Sequence, residues 1–329
     1  MIDLAVRVAG VQLRNPVVAA AGTCGYVDEL ADVLDPARLG AIVTKSITRA
    51  PRTGHPPWRL ITVEGGMLNA VGLANVGLEK FLVEMLPAAA GLDTVLIGSI
   101  AGNSIDDYVT VASAFDQEDR LPLVELNVSC PNTDDGLVFG ENPARLAELL
   151  GEVRPALGGT GMLVKLSPNV GDIVAMADAA VGAGADGLTL INTVAAMAID
   201  VEQRRSRLGG GGRGVPAAPG PGHGQKPSGP ATAAGGLSGP AIHPIAVKMV
   251  HDVSVSVAKP ADVPIIGLGG VMTWQDAAEF ILAGATAVGM GTALFVDPRL
   301  PEAVVKGLRA WVKRQGCASV GELVGKLEH

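Results

Sequence analysis

Cysteine is scarce: 329 residues contain only Cys24, Cys130 and Cys317, far apart in the chain. That spacing excludes a disulfide framework, a thiolate metal site and an iron–sulfur centre within this chain. It fits a reducing compartment, so a cytoplasmic protein is expected. Long apolar runs are also missing, since no segment reaches the ~18 uninterrupted residues a spanning helix needs. The opening Met1-Ile-Asp3-Leu-Ala-Val-Arg7 carries charge inside its apolar stretch, so neither signal peptide nor membrane anchor is expected there. Basic residues number 25 against 33 acidic ones, a formal charge of −8 with no basic stripe, which argues against nucleic acid as a partner. His55, His223, His243, His251 and His329 have no carboxylate or cysteine at ligand spacing, and no metal site is expected. Trp58, Trp274 and Trp311 are too scattered for a stacking platform.

What the chain has is aliphatic strand material. With 48% hydrophobic residues it can bury a large core. Eight short apolar runs recur with helix-length Ala/Leu-rich stretches between them: 16–20, 41–45, 95–99, 123–128, 162–166, 187–191, 265–268 and 287–290. Such repetition reads as βα units on a parallel sheet, covered on both faces. A closed (β/α)8 barrel accommodates eight units as a single domain over residues 1–329, with a doubly wound open sheet as the rival. The stretch 209–234 is nearly all Gly, Pro, Ala and Ser and reads as a surface insertion without core-forming side chains.

Both architectures gather ligands at the carboxyl ends of their strands. There the polar residues collect: Lys45 after Ile-Val-Thr, Asn127 to Asn132 after Leu-Val-Glu-Leu, Lys165 after Leu-Val, and Asn192 with Thr193 after Leu-Thr-Leu-Ile. The run Val124-Glu-Leu-Asn127-Val-Ser129-Cys130-Pro-Asn132 delivers amides, a hydroxyl and a thiol to one loop, beside which a small polar molecule would find a base. Its plain alternative is a Pro-terminated strand with a packed cysteine. Lys45 and Lys165 would lie over the carboxyl edge of the sheet, where a cation favours a flavin that has accepted hydride; snorkelling lysines are the alternative.

Late glycine clusters, Gly235-Gly236-Leu-Ser238-Gly239, Gly267-Leu-Gly269-Gly270 and Gly289-Met-Gly291-Thr292, suit either tight turns or the backbone cradle of a phosphorylated cofactor. The Asn69-Ala-Val-Gly72-Leu73-Ala-Asn75 segment is too rich in glycine and amides for a good helix. Its asparagines either close turns or join Asn127, Asn132 and Asn192 in reading a planar, multiply hydrogen-bonding ligand such as a pyrimidine. Asp106-Asp107 and Asp134-Asp135 read as solvated turns.

In order along the chain, Thr44-Lys45-Ser46, Gly66-Met-Leu-Asn69-Ala-Val-Gly72-Leu73, Asn127-Val-Ser-Cys130-Pro-Asn132, Val-Lys165-Leu-Ser-Pro-Asn169, Ile-Asn192-Thr193, Gly236-Leu-Ser238-Gly239 and Gly291-Thr292 resemble the dihydroorotate dehydrogenases. The cysteine in Asn-Val-Ser-Cys130-Pro-Asn is similar to the soluble class 1 enzymes. The continuation Thr-Asp-Asp-Gly136-Leu-Val-Phe139-Gly140 is most similar to the 1B catalytic subunit. The resemblance implies a (β/α)8 TIM barrel with FMN at the carboxyl ends of its strands. It also implies a separate subunit carrying FAD and a 2Fe-2S cluster that passes electrons to NAD, in a homodimer or heterotetramer.

Carried over by motif, Ala21, Lys45, Ser46, Asn127, Lys165, Ile191, Gly239, Gly269, Gly270, Gly291 and Thr292 would contact FMN. Orotate or dihydroorotate would meet Lys45, Asn69, Ala70, Val71, Gly72, Leu73, Asn127, Asn132, Asn192 and Thr193, and Cys130 would be the catalytic base. Ala21 stands where the family often has serine, and the 209–234 stretch is longer than usual. Three functions therefore compete: oxidation of dihydroorotate in pyrimidine synthesis, reduction of another pyrimidine or a fumarate-linked 1A-like reaction, and a non-catalytic barrel.

Overall fold

The computed structural model describes residues 2–27, 29, 31–129, 138–208 and 234–328. Eight parallel strands close into a barrel in chain order: β1 (Val17–Ala19), β2 (Ala41–Val43), β3 (Val95–Ile100), β4 (Leu123–Asn127), β5 (Gly161–Leu166), β6 (Gly187–Leu190), β7 (Ile265–Leu268) and β8 (Ala287–Met290). The closing pair sets Val17 beside Val288 and Ala19 beside Met290. These are the eight runs read from the sequence, and closure excludes the open-sheet rival. The strands are buried on both faces because Val, Ile and Leu point outward against helices and inward against each other.

The outer layer begins with a continuous helical segment after β2, which we call α1 and which passes through Leu78–Lys80, Phe81–Met85 and Leu86–Gly91. It continues with α2 (Ile105–Phe115), α3 (Pro143–Val153), α4 (Ile173–Gly182), α5 (His243–Val253), α6 (Trp274–Ala283), α7 (Thr292–Val296) and α8 (Leu300–Arg314). Side chains set where several of them start. Ser104 caps α2, Asn142 caps α3 ahead of Pro143, Asp172 caps α4, and Thr273 with Asp276 forms a reciprocal capping box on α6. Each such cap contributes about 1 kcal/mol and stops a loop at a defined residue. Asp106 and Asp107 thus lie in the first turn of α2 rather than in a free turn. Asp106 pairs with Arg49 at 2.5 Å, and negative charge is favoured at that end of a helix.

Two additions cover the barrel ends. An N-terminal hairpin, Val6–Val8 with Val11–Leu13, closes the amino end, where a side chain on Gly161 would meet Ala9. At the carboxyl end an antiparallel cap sheet runs Val194–Ala196, Gly235–Ser238, Gly66–Asn69, Leu60–Val63. The sequence does not announce this sheet, because its two central strands contain glycine and are half-buried rather than continuously apolar.

Candidate functional site

At the carboxyl mouth of the barrel, the loops place most of the sequence-derived residues in three groups. One group is cationic. Lys45 follows β2, and its ammonium lies 3.6 Å from where a side-chain carbon on Gly22 would stand, next to Ala21 in the loop after β1. That ammonium forms no hydrogen bond or ion pair with any described residue. Burial, followed by the positive charge of Arg59, holds its pKa below the ordinary lysine value. Ser46, its neighbour, shares a 2.8 Å hydrogen bond with Ser99 of β3 inside the barrel.

A second group is amidic. Asn127 ends β4, and its Oδ1 accepts from Asn192 Nδ2 at 3.2 Å and from the Ser129 backbone N–H at 3.4 Å, while Asn192 Nδ2 also reaches Ser129 Oγ at 3.0 Å. Tyr108 of α2 donates to the Asn127 carbonyl at 2.7 Å and pins the strand end. Asn192 Oδ1 accepts from the Thr193 backbone N–H at 2.9 Å. Asn69, on the cap sheet, donates to the Gly236 carbonyl at 3.2 Å. Gly236 is required here, since a Cβ would fall 2.0 Å from Thr193 Oγ1. Ala70 to Leu73 follow as a half-buried loop with Gly72 and Leu73 at positive φ, and Ile191 is buried at the end of β6.

The third group is the backbone of three loops. Gly239 and Gly270 adopt φ of 99° and 70°. A Cβ on Gly270 would fall 2.7 Å from the Gly239 carbonyl oxygen, and one on Gly239 would fall 3.4 Å from Thr292. The loops after β6, β7 and β8 therefore meet. No side-chain cap occupies the start of the helical turn at Gly239. Glycine backbone brought together in this way, with no side-chain carbons over its amide groups, suits a phosphate ester.

Lys165 differs from the sequence reading. It lies within β5 with its side chain in the barrel interior, 3.6 Å from Glu125 of β4, and both side chains are less than a tenth exposed. Thr189 of β6 donates to the other Glu125 oxygen at 2.9 Å. Glu125 and Thr189 were not singled out from the sequence. The available signal was a carboxylate two residues before Asn127 in an otherwise apolar strand, a spacing that puts both on the inward face. Arg59 and Asn169 were also missed as site neighbours. Asn169 Oδ1 accepts from the Ala195 N–H at 2.8 Å and its Nδ2 donates to the Thr193 carbonyl at 3.0 Å, fastening the loop after β6 to the end of β5.

Cys130 and Asn132 lie outside the described residues, as does 209–233. Cys24 is buried against the Ala20 and Val43 carbonyls, and burial pushes its pKa up to about 12. Among the described residues no cluster of three metal-ligating side chains occurs, and no helix is long and apolar enough to cross a membrane.

The donor set suits a flavin mononucleotide: converging glycine backbone for the phosphate, an ammonium unpaired among the described residues and a second lysine in the barrel, and amides for a planar ring ligand. The family model described as "Dihydroorotate dehydrogenase" matches residues 3–218 and 223–312. The chain is 44% identical to the "Dihydroorotate dehydrogenase B (NAD(+)), catalytic subunit" of Geotalea daltonii over 327 residues, covering 99% of this chain and 98% of that protein. It is 42% identical to the Bacteroides fragilis protein of the same name, over the full length of both. The Pelobacter propionicus protein, likewise so named, is 42% identical over 99% of each chain.

Proposed function

The chain belongs to the dihydroorotate dehydrogenase family, and on that footing we propose that it is the catalytic subunit of an NAD-linked enzyme oxidising (S)-dihydroorotate to orotate in pyrimidine synthesis. The observation that carries this reading is the grouping at one barrel mouth of a lysine unpaired among the described residues, a network of amides and three glycine-rich loops that meet. When bound, FMN supplies the two-electron acceptor for the hydride that leaves C6 of the substrate.

The protein's own part is to bind, orient and remove a proton. Lys45 offers a cation to the substrate carboxylate, at a mouth where burial leaves that charge poorly solvated and so more strongly attractive. Asn69, Asn127, Asn132 and Asn192, with Thr193 and the loop Ala70-Val71-Gly72-Leu73, supply donors and acceptors to the ring amides. Cys130, three residues beyond Asn127, takes the C5 proton as thiolate, so the C5–H and C6–H bonds break as the C5=C6 double bond forms. Ala21, Lys45, Ser46, Asn127, Lys165 and Ile191 would line the flavin ring, and Gly239, Gly269, Gly270, Gly291 and Thr292 would hold its phosphate.

A separate subunit carrying FAD and a 2Fe-2S cluster would take the electrons onward, in keeping with a chain of three cysteines that cannot ligate such a cluster itself. We assign the protein to the cytoplasm, as one barrel domain in a homodimer or heterotetramer. Anaerobic mixing of the yellow holoprotein with dihydroorotate is expected to bleach the flavin, with dihydrouracil leaving it oxidised. Cys130→Ala keeps the flavin and slows bleaching by at least about 10²-fold. A purified protein that takes up no FMN overturns the cofactor, bleaching by dihydrouracil overturns the substrate, and an unchanged rate in Cys130→Ala overturns the base.

A further inference from the structure

His243 is the first residue of α5, and its side chain is almost fully buried. Its Nδ1 lies 2.7 Å from the Gly269 carbonyl oxygen. A carbonyl only accepts, so Nδ1 carries the proton and donates. The other ring nitrogen, Nε2, makes no hydrogen bond to a described residue, although a Glu279 carboxylate oxygen of α6 lies 3.2 Å away, and the ring stands edge-on to Phe280 at 5.1 Å. The imidazole thus joins the start of α5 to the loop after β7 and is backed by α6.

The residue it grips is the one whose peptide is least constrained by its own sequence. Gly269 and Gly270 have φ of 152° and 70°, and a Gly–Gly peptide reorients at little steric cost. In a planar trans peptide the C=O and the following N–H point in opposite directions. Anchoring the Gly269 carbonyl on His243 therefore fixes the Gly270 N–H to point away from that side chain. A side-chain carbon on Gly270 would collide with the Gly239 carbonyl at 2.7 Å and the His243 Cβ at 2.8 Å, so this peptide sits at the seam of the phosphate loops.

We propose that His243 is a positioning residue that holds the Gly269–Gly270 peptide in its phosphate-binding orientation and so sets the preference for FMN over unphosphorylated riboflavin. This inference rests on the flavin reading above. It concerns how the loop is preorganised, a cost that ligand binding would otherwise have to meet.

The test compares dissociation constants of FMN and riboflavin for the flavin-stripped full chain, measured by flavin fluorescence. The wild type is expected to prefer FMN. His243→Leu is expected to lose about tenfold in FMN affinity, the worth of one hydrogen bond to a preorganised site, with riboflavin affinity unchanged. His243→Asn, which returns an N–H close to the Nδ1 position, is expected to recover most of that loss. Glu279→Gln alters an exposed side chain that makes no hydrogen bond to the ring, and both flavin affinities are expected to stay unchanged there. Equal losses of both flavins, or an unchanged FMN-to-riboflavin ratio in the Leu variant, overturn the positioning role. A wild type with no preference for FMN overturns the cofactor reading instead.

Discussion

Glu125 and Lys165 form a buried ion pair, and removing one partner while keeping the other leaves an uncompensated charge where water cannot reach it. The Lys165 side chain is 8% exposed and that of Glu125 2%, with 3.6 Å between ammonium and carboxylate. Breaking such a pair costs about 3–5 kcal/mol, whereas replacing both partners by apolar groups of similar volume is close to neutral. Glu125→Gln keeps the shape and still accepts from Thr189, which currently donates at 2.9 Å. The lower end of the range, about 3 kcal/mol, is therefore expected. A chain of this length has an unfolding entropy of roughly 0.7 kcal/mol/K, so the midpoint of thermal unfolding should fall by about 4 °C. Lys165→Met should lower it comparably. The Glu125→Gln/Lys165→Met double variant should lie well above the sum of the two losses, giving a coupling of about 2 kcal/mol. Scanning fluorimetry of the four proteins, matched in flavin content, completes the cycle. Additive losses, or a Glu125→Gln variant as stable as wild type, would refute the claim that the two charges answer each other.

Two further outcomes follow from titrations. Burial and Arg59 depress the Lys45 pKa, so the ammonium is present below that value and is lost as pH rises through it. Orotate affinity, read from the ligand-induced change in the flavin spectrum, should therefore begin to weaken at a pH below the ordinary lysine range. Lys45→Gln should bind weakly at every pH; a wild-type affinity flat into strongly alkaline solution would contradict this. Cys24, with its pKa raised to about 12, should resist iodoacetamide in the folded protein at pH 8 and react once the chain is denatured, since the protonated thiol is a poor nucleophile. Peptide mapping that finds Cys24 alkylated in the native state would count against its burial.

The barrel was legible because each of its strands is a short aliphatic run bounded by turn residues, a pattern that burial on both faces demands. Strand ends were displaced by a residue or two where, as at Thr44 and Lys45, the chain leaves the ladder to reach the mouth. The cap sheet was not legible. Gly66–Asn69 and Gly235–Ser238 pair through backbone that must lie close to Thr193 and Asn69, and close approach selects glycine rather than the β-branched residues that advertise strands. Lys45 and Lys165 looked alike in sequence, each polar after apolar residues. Only the sheet register, which sets Lys165 beside Asn127 and two residues above the level of Glu125, separates a cation open to the mouth from one already neutralised within the barrel. His243 escaped for a related reason: the Gly269 carbonyl it holds is 26 residues away in sequence and meets it only because the start of α5 lies beside the loop after β7.

The cap sheet also brings Leu208 and Gly235 together, so that a side-chain carbon on Gly235 would stand 2.5 Å from Leu208. Two positions that lie 27 residues apart along the chain are thus held side by side by the folded part of the molecule, so that edge of the cap sheet is fastened by packing as well as by backbone pairing.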